Sequence, residues 1–82
     1  MPVISMFYGV IVMMYFFDTE RHHLPHIHVK YAELTAVIDL ENFQVIEGNL
    51  PNNKLRLVLA WMEIHRDELK ANWELAKKIF QE

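Results

Sequence analysis

From Ile4 to Phe17 the chain is apolar at nearly every position, and Val, Ile, Tyr and Phe dominate. That density of β-branched and aromatic side chains predicts a strand, with Gly9 as a bend or bulge within it. Both faces of the stretch are apolar. It is therefore expected to sit centrally in a sheet, or to cover a second surface such as a dimer contact. A polar loop follows over Asp18–Pro25. Alternation then predicts a second strand from His26 to about Tyr31 and a third from about Leu34 to Leu40. In the third, Leu34, Ala36, Ile38 and Leu40 share one face, and Thr35, Val37 and Asp39 the other. Glu41-Asn42 begins a turn, and a short fourth strand over Gln44–Glu47 ends at Gly48. An antiparallel meander is the simplest topology for such a series.

The period changes near Pro51. Beyond it there is neither Gly nor Pro, and helix formers dominate. Asn52 or Asn53 is placed to cap the start. Leu55, Val58, Leu59, Met62, His65, Leu69, Trp73, Ala76 and Phe80 fall within an arc of roughly 120° on a helix. This stripe is expected to pack on the sheet. One straight helix of about 28 residues would be roughly 42 Å long, too long for so small a domain, so a bend near His65–Asp67 or an overhang is expected. Leu57, Trp61, Ile64, Leu75 and Ile79 form a second apolar stripe. It belongs either to the edge of the core or to a surface for a partner or for self-association.

Together these elements predict an α+β fold, with a three- or four-stranded antiparallel sheet followed by one long or two C-terminal helices packed on one face. At 82 residues the chain makes one domain over 1–82, strand-rich over 1–50 and helical over 51–82. A domain this small buries a modest share of its surface. The 52% hydrophobic content leaves apolar surface to spare, which makes a protein partner or self-association an expectation. The apolar run Met6–Phe17 is well short of the roughly 20 residues a spanning helix needs. No Lys or Arg precedes it, so neither a signal peptide nor a membrane segment is expected. With no cysteine, disulfides and thiolate metal sites are excluded, and a reducing cytoplasm fits. A net charge of −3 argues against a broad electrostatic grip on nucleic acid, while a local basic patch stays open.

Chemistry concentrates in Arg21-His22-His23-Leu24-Pro25-His26-Ile27-His28-Val29-Lys30-Tyr31. Four of the five histidines lie here. On a strand, His26, His28 and Lys30 point one way and Ile27, Val29 and Tyr31 the other. Pro25 stiffens the path into the strand. Three readings stay open. In the first, His22, His26 and His28 hold a divalent metal such as zinc, with Asp18 or Glu20 adding an oxygen. In the second, His26 and His28 act as base and acid with Lys30 stabilising an anion, as in ribonuclease-like transfer on RNA. In the third, the imidazoles hydrogen-bond the backbone, shape the loop or mediate protein contact. His65, on the helix stripe, reads as a satisfied, half-buried residue. There is no Gly-rich phosphate loop, cysteine nucleophile or Gly-x-Ser-x-Gly elbow.

Four segments together resemble a family of small bacterial proteins classed as a domain of unknown function. They are Met1-Pro2-Val3-Ile4-Ser5-x-Phe7-Tyr8-Gly9, His22-x-x-Pro25-His26-x-His28-x-x-Tyr31, Val45-Ile46-Glu47-Gly48-x-Leu50-Pro51, and Glu63-Ile64-His65-Arg66-Asp67-Glu68-Leu69-x-x-Asn72-Trp73-Glu74. The resemblance covers nearly the whole chain. The family's His-Asn-Pro-Pro-His-Phe-His pattern is matched at His22, Pro25, His26 and His28. It is departed from at His23, Leu24 and Ile27, which makes His23 the weakest site candidate. A short Pro-containing tail common in the family is missing here. The resemblance implies a genetic neighbourhood shared with another small domain, in a pair that looks like a toxin–antitoxin module. It thus implies a protein partner and a cytoplasmic setting.

Overall fold

The computed structural model describes residues 3–14 and 24–80, with side chains up to residue 75. Among these residues the order is β1 (Val3–Phe7), β2 (Val10–Met13), β3 (His26–Tyr31), β4 (Leu34–Asp39), β5 (Val45–Gly48), α1 (Asn52–Ile64) and α2 (Arg66–Phe80). The strands form one antiparallel sheet in the order β1-β2-β3-β4-β5. The α+β meander followed by two helices is therefore the observed architecture.

Among the described residues the strand count is five rather than three or four, because the first apolar run contains two strands. Tyr8 and Gly9 both take positive φ, 50° and 79°. Phe7 and Val10 face each other across them. Two consecutive positive-φ residues make a two-residue turn whose twist matches that of the flanking strands, so the run folds back on itself as a hairpin. The feature read as a bend at Gly9 is this turn. As a consequence β1 lies at the sheet edge, and only β2 occupies the interior position expected of the whole run.

The next hairpin turns at Ala32-Glu33, with Ala32 at φ 54°. Between β4 and β5 the Asp39 carboxylate accepts the N–H groups of Glu41 and Asn42. Phe43, at φ 56°, returns its own N–H to the Asp39 carbonyl. A short acidic side chain that bonds the backbone two and three residues on builds a turn by itself.

One face of the sheet carries the core. Val10 and Val12 of β2, Ile27 and Val29 of β3 and Ala36 and Ile38 of β4 are buried there, with Val58, Met62, Leu69 and Trp73 of the helices in the same cluster. Each large buried side chain contributes about 1.5–3 kcal/mol relative to exposure. The start of α1 departs from expectation. Pro51, not an asparagine, stands at the cap with φ −56° and ψ 144°, and no side chain caps the helix. The Pro51 carbonyl accepts the N–H groups of Lys54 and Leu55. Pro has no N–H to satisfy and its φ is already set, so it starts the helix unaided. The bend falls at His65, with φ −106° and ψ 20°.

Candidate functional site

Pro25 sets up the site. Its carbonyl accepts the Leu40 N–H at 2.8 Å, which pins the start of β3 to the end of β4. From there β3 alternates. Ile27 and Val29 enter the core, while His26, His28 and Lys30 take the other face, opposite Asp39, Val37 and Thr35 of β4.

His26 is fully buried. Its Nδ1 lies 2.7 Å from the Leu24 carbonyl oxygen. A carbonyl only accepts, so Nδ1 carries the proton and donates it. Any metal or proton chemistry of a neutral His26 ring then runs through Nε2. This is the arrangement by which a backbone carbonyl orients a ligating or catalytic imidazole. The His28 ring, half-buried, lies 5.3 Å from that of His26, with the planes inclined by 58°. The indole of Trp73 lies 5.1 Å from the His26 ring. The structure thus brings His26 and His28 together as neighbouring imidazoles, one of them wedged against α2.

Lys30 shares their face but is exposed, and it stands about 7 Å further along the strand than His28. His22 lies outside the described residues, as do His23, Asp18 and Glu20. Among the described residues no group of three His, Cys, Asp or Glu is arranged to hold a metal ion. The described donor set is therefore two imidazoles. Asp39, across from His26, uses its carboxylate in the turn after β4.

Next to His26, between its neighbours Pro25 and Trp73, opens a cleft of about 210 Å³, lined also by Glu41, Lys70 and Glu74. Sequence reasoning missed it. Trp73 was legible only as a core residue on the helix stripe, and no spacing connects Glu41 to Lys70 and Glu74.

The second apolar stripe divides. Leu57 is half-buried. Trp61 is half-buried too, stacked on Phe7 at 5.6 Å and beside His65 at 4.9 Å. Trp61 packs against the core of its own domain. Ile64 and Leu75 are 78% and 58% exposed. The Ile79 side chain lies outside the described residues. His65 is half-buried as expected, with Nδ1 3.4 Å from Glu68 Oε1.

A family model for a domain of unknown function, DUF4160, matches residues 9–74. No curated protein and no solved structure gives a significant match. Among the described residues no helix is long and apolar enough to cross a membrane.

Proposed function

The chain belongs to the DUF4160 family, and on that premise we propose that it is a protein-interaction module, one half of a small toxin–antitoxin-like pair. The observation that carries this reading is the exposure of Ile64 and Leu75. Each stands two positions beyond a buried residue of its helix, Met62 and Trp73, so each faces away from the core. Asp67 and Glu68, both exposed, lie one turn beyond Ile64. Arg66 is already paired with Glu63 at 2.9 Å. An apolar side chain flanked by carboxylates suits a small partner that presents an apolar strip edged with Lys or Arg. The test is co-purification of the tagged chain with whatever small protein its neighbouring gene encodes. Ile64→Glu is expected to abolish capture and His26→Ala to leave it intact. Capture that survives Ile64→Glu and Leu75→Glu alike would remove this surface from the function.

A second reading rests on a separate observation, the carbonyl-held Nδ1 of His26 beside the His28 ring. It is a histidine site on the opposite face of the sheet from α1. The site works either as acid and base on RNA with Lys30 at its rim, or as two of the imidazoles of a divalent metal such as zinc, with His22 the third.

A further inference from the structure

We propose that β1 is the dimerisation strand of this protein, pairing antiparallel with β1 of a second copy to make one continuous ten-stranded sheet. The inference concerns a different surface from Ile64 and Leu75 and does not depend on them.

It starts from a mismatch between composition and position. β1 reads as an interior strand, because it carries no charge and is apolar at every position but Ser5. Among the described residues it nevertheless lies at the sheet edge. Edge strands of proteins that stay single are blunted by short length, by Lys or Pro, by inward-pointing charge or by a bulge. β1 has no charge and no Pro, and its length over Ser5–Phe7 is free of bulges. Its one irregularity is a register shift between Val3 and Ser5, which leaves Ser5, Met6 and Phe7 in regular pairing with Val12, Ile11 and Val10.

The pairing also shows which backbone groups are left over. Phe7 and Val10 close a two-residue turn and exchange their hydrogen bonds with each other. Bonded and non-bonded positions alternate along an antiparallel pair, so the Met6 N–H and C=O point away from β2. A second β1 laid antiparallel about a two-fold axis through Met6 sets Met6 opposite the partner's Met6. The two residues then exchange two backbone hydrogen bonds, and Ser5 comes to face the partner's Phe7. A two-fold contact of this kind uses the same patch on both protomers. The Met6 side chain is 69% exposed and that of Tyr8 77%. Both would be covered in part by the added strand.

Charge selects the occupant. The chain carries −3 overall, so two copies repel over most of their surface. The first 17 residues contain no charged side chain, the longest such stretch in the sequence. The β1 edge is where two copies of this acidic chain meet without opposing carboxylates.

The test is sedimentation equilibrium of the full chain over a range of concentrations, with hydrogen exchange followed at the Met6 amide. The wild type is expected at twice the chain mass, with the Met6 amide gaining protection as concentration rises. Met6→Lys places two like charges opposite each other and is expected to weaken the dimer by about tenfold or more. The mutated side chain is solvent-facing, so circular dichroism should report an unchanged fold. Ile64→Glu should leave the dimer as it is. A wild type that stays single at every concentration overturns the inference. So does a dimer that persists in folded Met6→Lys, or one that leaves the Met6 amide unprotected.

Discussion

The buried imidazole of His26 lies against the indole of Trp73, with ring centroids 5.1 Å apart and planes inclined by 57°. The contact ties the first residue of β3 to the second helix across the end of the sheet. It also explains how a polar ring is tolerated at full burial. Nδ1–H is satisfied by the Leu24 carbonyl, and the ring's flat surface finds an aromatic neighbour.

That pairing is measurable as a coupling energy. His26→Ala leaves the Leu24 carbonyl without its donor and is expected to cost about 1–3 kcal/mol. In a urea-denaturation cycle with Trp73→Leu and the double variant, the two changes should couple by about 0.5–1.5 kcal/mol. Strict additivity would show that the helix and the histidine are held independently.

Glycine positions give a sharper contrast. Gly9 and Gly48 both have positive φ, 79° and 75°. A Cβ on Gly9 would meet only the flexible ring of Tyr31, at 3.3 Å. A Cβ on Gly48 would overlap the Thr35 backbone carbonyl, which already accepts the Asn49 N–H. Gly9→Ala should therefore cost about 1–2 kcal/mol, for the left-handed backbone alone. Gly48→Ala should cost about 3 kcal/mol or more, because strand β4 must move. Equal losses in thermal or urea melts would contradict the close approach of β5 to β4.

The turn after β4 should depend on an acceptor rather than on a charge. Asp39 is buried and receives two backbone N–H groups. Asp39→Ala leaves both without that partner and should cost about 2–3 kcal/mol. Asp39→Asn keeps the carbonyl oxygen and should retain most of the stability. If the two variants unfold together, the carboxylate's charge, not its geometry, holds the turn.

Local rules made much of this legible. Alternation placed β3 and β4 nearly to the residue, and the helical stripe identified Val58, Met62, Leu69 and Trp73 as core. Length alone called for either a bend near His65–Asp67 or an overhang, and of the two it is the bend that forms, at His65. The Tyr8-Gly9 hairpin escaped because an unbroken apolar run hides a turn made by one glycine and one tyrosine, and the positive φ of Tyr8 has no sequence signature. At the site, period-two alternation was enough to put His26 and His28 on one face. Their surroundings were not legible, since the Trp73 contact and the Glu41–Lys70–Glu74 cleft join segments far apart in sequence that meet only in the folded chain.

The tautomer of His26 decides which chemistry this face supports. If Nδ1 donates to Leu24, nitrogen-15 correlation spectra of the neutral ring should show the Nδ1–H form, with Nε2 as the basic nitrogen. Added zinc should then shift His26 and His28 together, and His26→Ala should weaken the response by about tenfold or more. Spectra with the Nδ1–H form but no zinc response would leave proton transfer through Nε2 as the remaining use of the pair. RNA cleavage by wild type against His26→Ala and His28→Ala would then be the decisive assay. An Nε2–H form would sink both chemistries together, because the Leu24 carbonyl would no longer be what orients the ring. His26 would then be a core residue that happens to be polar, and the work of the protein would rest on its contact surfaces.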